Sequence, residues 1–132
     1  MPDPEPPLTA ALAVQVERLA DRLRSLSDTR LARPLPPHAS RADAAHALAQ
    51  ALAEADQGVE QRADPQPPAW RRLPRLHDFA VGDQVAVTGH DLVRAAEGLD
   101  PTTPVWAPGG RRPLGELLAE LAVALRELRQ AL

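Results

Sequence analysis

The chain has 132 residues, 15 basic and 18 acidic side chains, a net charge of −3 and no cysteine. This length suffices for one domain and is short for two, and the absence of cysteine excludes disulfides, thiolate metal sites and a cysteine nucleophile. Because no long basic block rises above the acidic background, we expect no nucleic-acid partner.

The N-terminal stretch MPDPEPPLTA is acidic and proline-rich. It lacks the basic region and apolar core of a signal peptide, and no later run is long and apolar enough to span a bilayer. We therefore expect a cytoplasmic protein with no membrane partner.

The prolines fall in clusters that separate four segments with periodic apolar residues. Proline removes a backbone donor and clashes with the preceding helical turn, so each cluster predicts the end of an element. The predicted helices cover about residues 9–33, 40–62, 76–99 and 113–132.

The first predicted helix has an apolar seam with alternating spacings of four and three, a pattern typical of one helix face. Thr9 is the expected N-cap. The seam consists of Leu12, Val16, Leu19, Leu23 and Leu26.

The second predicted helix opens with Ser40 and Asp43, a variant of the capping box. Its seam is rich in alanine, and small side chains let helix axes approach closely. The seam consists of Ala45, Leu48, Leu52, Ala55 and Val59.

The third segment fits two patterns. Residues 79–87 alternate like a strand, but only TPVWA, at residues 103–107, could pair with them, and a lone hairpin is marginal in water. As a helix, with Asp78 as its cap, the segment continues the four-three rhythm over about six turns. We predict the helix, with Gly82 and Gly89 admitting a close neighbour, for which the fourth helix is a candidate.

The last segment begins after Pro113 and carries leucines at alternating spacings of four and three up to Leu132. Leu117, Ala124 and Ala131 widen its apolar face beyond what one small bundle must bury. This excess predicts self-association. Four helices of similar length joined by proline-rich connections predict an all-α fold, an antiparallel four-helix bundle forming a single domain over residues 1–132.

Few residues suggest chemistry. In the predicted third helix, Asp83, His90 and Arg94 share a polar stripe, which is either a solvated face or a surface that contacts a partner or a small molecule, with His46 as a further contributor. The apolar seams carry no Glu-x-x-His pairs for a metal, and the chain has no catalytic or phosphate-binding motif. We expect no metal, no cofactor and no enzymatic activity.

Trp70 and Trp106 lie in the proline-rich joints beside arginine or proline. Tryptophan and arginine are enriched in interface hot spots, but these large side chains could instead plug the ends of the bundle, which otherwise lacks large side chains. The sequence alone leaves both interpretations open.

Taken together, these features predict a non-catalytic protein-interaction module, an adaptor, scaffold or assembly subunit that binds a protein partner and forms homo-oligomers. The alternative is a helical bundle that senses or transforms a small molecule with Asp83, His90 and Arg94.

Overall fold

The computed structural model describes residues 7–132. Within this range, four long helices share one core of leucine, valine and alanine, and a short helix and a β-hairpin complete the fold. The elements are α1 (Leu8–Arg24), α2 (Asp28–Leu31), α3 (Arg41–Glu60), α4 (Val81–Ala96, preceded by a 3-10 turn at Asp78–Ala80), β1 (Pro104–Ala107), β2 (Gly110–Pro113) and α5 (Leu114–Ala131). None of the helices between residues 7 and 132 combines the length and apolar character needed to cross a bilayer.

The first predicted helix is interrupted, so the prediction of one helix over residues 9–33 is wrong. α1 ends at Arg24, because the Ser25 hydroxyl donates to the Arg22 carbonyl at 2.7 Å, and Ser27 then caps α2 by accepting from the Arg30 amide at 3.3 Å. Serine side chains compete with the helix for backbone groups in this way. The predicted seam is confirmed, since its five residues are all at most 3% exposed. Thr9 is not the N-cap, because the helix already begins at Leu8.

The start of α3 confirms the predicted cap. The Ser40 hydroxyl accepts from the Asp43 amide at 3.0 Å. The Asp43 carboxylate does not complete a capping box, because it accepts instead from Arg75. The α3 seam is buried except at Leu48, which is only half-buried.

The helical interpretation of the third segment is confirmed over Val81–Ala96. Asp78 does not cap it, since its carboxylate accepts from Arg75 at 2.8 Å. Gly82 and Gly89 do admit a close neighbour, but that neighbour is α1 and not α5. A Cβ at Gly89 would lie 2.5 Å from a methyl group of Val16, so the valine fills the notch that the glycine leaves.

The predicted antiparallel arrangement is wrong. α1 and α5 run parallel, because a Cβ at Gly115 would lie 3.3 Å from Leu8 at one end, while Arg22 donates to the Leu132 carbonyl at the other. α3 and α4 also run parallel, since Arg75 joins Asp43, near the start of α3, to Asp78, just before α4. In chain order the long helices therefore point up, down, down and up.

An all-α fold is also wrong, because β1 and β2 form an antiparallel hairpin with Val105 opposite Arg112 and Trp106 opposite Arg111. Its two-residue turn is Pro108-Gly109, and the φ of +98° at Gly109 favours glycine. Such a hairpin is marginal alone, and here it packs on α3. The TPVWA segment is thus a strand after all, paired with the residues that follow it.

Candidate functional site

A return segment, residues 61–77, leads from the end of α3 back to the start of α4. Gln57 donates to the Ala69 carbonyl at 2.6 Å and accepts from the Arg71 amide at 3.1 Å. Gln50 likewise donates to the Arg71 carbonyl at 2.9 Å and accepts from the Leu73 amide at 2.6 Å. The two glutamine side chains therefore satisfy backbone N–H and C=O groups of the extended return segment, as a neighbouring β-strand would in a sheet.

Further side chains fix the end of the return segment. His46 donates to the Leu73 carbonyl at 3.0 Å, and Gln84 of α4 donates to the Pro74 carbonyl at 2.8 Å. His46, a predicted contributor to a chemical site, therefore holds the backbone instead. The spacing of seven between Gln50 and Gln57 on α3 was the sequence signal for this role.

The three side chains predicted to form one polar stripe on α4 have different surroundings. Asp83 accepts from Arg24 of α1 at 2.8 Å, and His90 donates to Glu17 of α1. Both residues thus join α4 to the antiparallel α1. Arg94 lies apart from them, exposed beside Glu60 and Asp91. The structure does not bring the three predicted residues together around one cavity.

Asp56, in the second half of α3, lies near two other acidic side chains, Glu60 of α3 and Asp91 of α4. Burial raises the pKa of Asp56 from 3.8 to about 6, and the negative charges of Glu60 and Asp91 add to the effect. One of its carboxylate oxygens is buried without a hydrogen-bond partner among the described residues. The ionised form is therefore destabilised in the folded protein.

We expect Asp56→Asn to stabilise the protein at neutral pH. Between pH 3.8 and about 6, the folded state retains a proton on Asp56 that the unfolded chain releases. The free energy of unfolding therefore falls as the pH rises through this range, and Asp56 destabilises the folded protein above it. A fully buried group with this pKa would cost about 3 kcal/mol, and because Asp56 is partly exposed, solvent screening reduces the cost to about 1 kcal/mol.

Urea unfolding of the Asp56→Asn variant at about pH 7.5 and about pH 4 measures this cost. The gain should appear at the higher pH and largely vanish at the lower one. Glu97→Gln, at an exposed position, is the matched control and should change little at either pH. An equal effect of Asp56→Asn at both pH values would contradict the assignment.

Trp106 contacts the rest of the chain on several sides. Its indole donates to the Asp64 carbonyl at 3.0 Å, and the Arg111 guanidinium lies 4.0 Å from the centre of its ring. These contacts hold Trp106 near the C-terminal end of α3. They favour the interpretation that Trp106 plugs an end of the fold over the interpretation that it is an interface hot spot. Trp70 is half-buried in the return segment, between Ala69 and Arg71, which Gln57 holds.

A broad apolar depression lies between α3 and α5, and we call it the α3–α5 groove. It consists of two adjoining cavities of about 450 and 300 Å³ that share Leu48, Ala51 and Ala124. One end is closed by Leu35, Pro36 and His38, and the other by the hairpin turn. The remaining apolar lining comes from Ala44, Ala47, Ala55, Leu117, Leu121, Leu128 and Ala131.

The groove exists because α3 and α5 pack mainly on other helices. α3 lies chiefly against α4, and α5 against α1, while α3 and α5 touch only lightly. The facing side chains are mostly alanine, too short to fill the gap. The side of α3 that faces α5 therefore leaves apolar surface open, and of the predicted α3 seam only Leu48 and Ala55 belong to this side.

The predicted flank of α5 forms one wall of this groove. Leu117 is 8% exposed and lies at the floor, Ala124 is half-buried, and Ala131 is exposed. Of the candidate interaction residues, Leu117 lines the α3–α5 groove together with its flanking neighbours Ala124 and Ala131, whereas the polar and tryptophan candidates do not: Asp83, His90, Arg94, Trp70 and Trp106. The opposite wall on α3 was not predicted as part of a site.

Acidic side chains surround the groove. Glu54, Glu120 and Glu127 line it, and the one arginine in its lining, Arg112, bonds Glu120 and also Glu116 at 3.0 Å. Glu54 accepts from Gln50 at 3.0 Å, an uncharged donor. The rim thus carries excess negative charge.

Comparison with protein-family models, with curated proteins and with solved structures finds no match to this chain.

Proposed function

We propose that the protein is a non-catalytic protein-interaction module and that the α3–α5 groove is its docking surface. The observation that carries the proposal is the continuous apolar lining between two helices, with charged side chains at its edge. Apolar patches rimmed by polar groups are typical of binding surfaces, and grooves between helices accept helical segments of other proteins.

The positions of the other candidate residues support binding over chemistry. Asp83 and His90 bond α1, and His46 bonds the return segment. Each of these polar groups has a structural partner within the chain. The groove, by contrast, offers surface that nothing in the described part of the chain covers.

Site-specific cross-linking in the protein's own cells tests the proposal. A benzophenone amino acid replaces Ala47, an exposed residue that lines the groove, and in a matched variant it replaces Ala11, an exposed residue of α1 outside the groove. We expect irradiation to yield a polypeptide adduct from position 47 and none from position 11.

A second substitution ties the adduct to the groove. Ala51→Trp fills the groove with an indole without changing the charge, and it should abolish the adduct from position 47, whereas Ala11→Trp should not. An adduct of twice the chain's mass would show the self-association expected from the sequence and would also support the proposal. Absence of any adduct from position 47, or equal adducts from positions 47 and 11, would overturn it.

A further inference from the structure

We infer that the occupant of the α3–α5 groove is a single amphipathic helix of a partner protein, about four turns long, with arginine or lysine on both sides of its apolar face. This inference rests on the proposed function and names the partner's chemistry.

The dimensions of the groove set the length of the occupant. Its lining extends over residues 117–131 of α5 and 44–55 of α3. At 1.5 Å per residue, the longer wall measures about 22 Å, or about four helical turns. A helix of this length presents apolar residues at spacings of three and four, enough to contact both walls.

The lining favours a helix over an extended peptide. An extended backbone needs hydrogen-bond partners along its length, as the return segment shows, since Gln50 and Gln57 supply them there. The floor and walls of the groove are mainly leucine and alanine, and its hydrogen-bonding side chains lie at the rim and ends, so they do not form a row along the floor. A helix satisfies its backbone groups internally and needs only apolar contact.

The charges at the rim of the groove indicate the charge that the partner should carry. Glu127 has no ion-pair partner among residues 7–132, and Glu54 bonds only Gln50 there. Basic residues flanking the apolar stripe of the occupant would face both carboxylates. Complementary charges of this kind give specificity and faster association.

The same charges disfavour a second copy of this chain. In a two-fold dimer, the groove of one copy would lie against the groove of the other. The acidic rims would then face each other, with Arg112 already bonded within its own chain.

Two designed helical peptides test the inference on the full chain. Each has about 15 residues and the same leucine stripe, flanked by arginine in one and by glutamate in the other, and a scrambled basic peptide of equal composition serves as control. Fluorescence anisotropy measures each Kd at low and high salt. We expect the basic helix to bind at least ten-fold more tightly than the other two peptides, with the preference reduced at high salt.

Variants locate the interaction. Ala51→Trp should abolish binding of the basic helix, and Ala11→Trp should not. The double variant Glu54→Gln/Glu127→Gln should weaken binding about five-fold, whereas Glu97→Gln, at an exposed position outside the groove lining, should leave it unchanged.

The outcomes separate this inference from the proposed function. Equal binding of both helices, sensitive to Ala51→Trp, would overturn the basic partner and leave the docking groove standing. A dimer in sedimentation equilibrium that Ala51→Trp dissociates would do the same, with a second copy as the occupant. If neither helix binds better than the scrambled peptide, the inference fails, and cross-linking from position 47 still decides the proposed function.

Discussion

Gly58→Ala should lower the free energy of unfolding by about 3 kcal/mol, the largest effect that we expect from one small substitution. A Cβ at this position would lie directly against the carbonyl oxygen of Trp106 and 2.8 Å from the carbonyl carbon of the same residue. The obstacle is backbone, so α3 and β1 would have to separate. Overpacking typically costs 1–3 kcal/mol and occasionally more. Because the clash here is with backbone, we expect a cost of about 4 kcal/mol, less the roughly 1 kcal/mol that alanine gains in helix propensity.

Gly82→Ala is the matched control for this substitution. Its Cβ would lie 2.9 Å from Cγ of Arg24 and 3.2 Å from the Ala20 carbonyl oxygen, so α1 and α4 need to shift by only a few tenths of an ångström. Urea unfolding of both variants should show a large loss for Gly58→Ala and a small change for Gly82→Ala. A Gly58→Ala variant as stable as the unaltered protein would contradict the close docking of the hairpin on α3.

The double variant Gln50→Ala/Gln57→Ala should also lose about 3 kcal/mol. It removes four hydrogen bonds to the backbone of the return segment, each with a net value of about 1 kcal/mol. Solvent reaches part of this segment, so water replaces some of the lost bonds.

Hydrogen exchange makes this prediction specific. The amides of Arg71 and Leu73 should lose protection while those in the middle of α1 keep it, because the return segment detaches before the core opens. Gln130→Ala, at an exposed position of α5, is the control and should be close to neutral. Unchanged protection at Arg71 and Leu73 in the double variant would show that the glutamines do not hold the segment.

Sequence periodicity was sufficient to predict the long helices, because a seam with spacings of four and three depends on residues within the same element. It located α3, α4 and α5 to within a few residues and predicted the burial of Leu12 to Leu26. The break after Arg24 was missed, since the same leucine seam continues through it to Leu26.

The helix directions could not be predicted in this way. They depend on hydrogen bonds that connect α3 to residues 12 to 32 positions later in the chain. Prolines at residues 64–74 marked a joint, but they did not reveal that this joint runs back along α3. The hairpin was missed for a related reason, because its support comes from Gly58 and Asp64 on distant segments.

The site was only partly predictable. The sequence showed the wide apolar flank of α5 at Leu117, Ala124 and Ala131. The alanines of α3 are compatible with close helix packing and also with an open apolar surface, and the position of the neighbouring helix decides between the two. Asp83 and His90 were misleading for a similar reason. Glu17 and Arg24 on α1 have the same spacing of seven, and this match was the available signal that the two pairs bond each other.

Chemical-shift mapping tests the proposed docking surface most directly. The basic helical peptide is added to ¹⁵N-labelled protein, and the amide resonances that move identify the contacted residues. We expect the shifts to concentrate at residues 44–55 of α3 and 117–131 of α5. Shifts concentrated around Asp83, His90 and Arg94, or around Trp70, with none along the groove, would contradict the assignment of the docking surface.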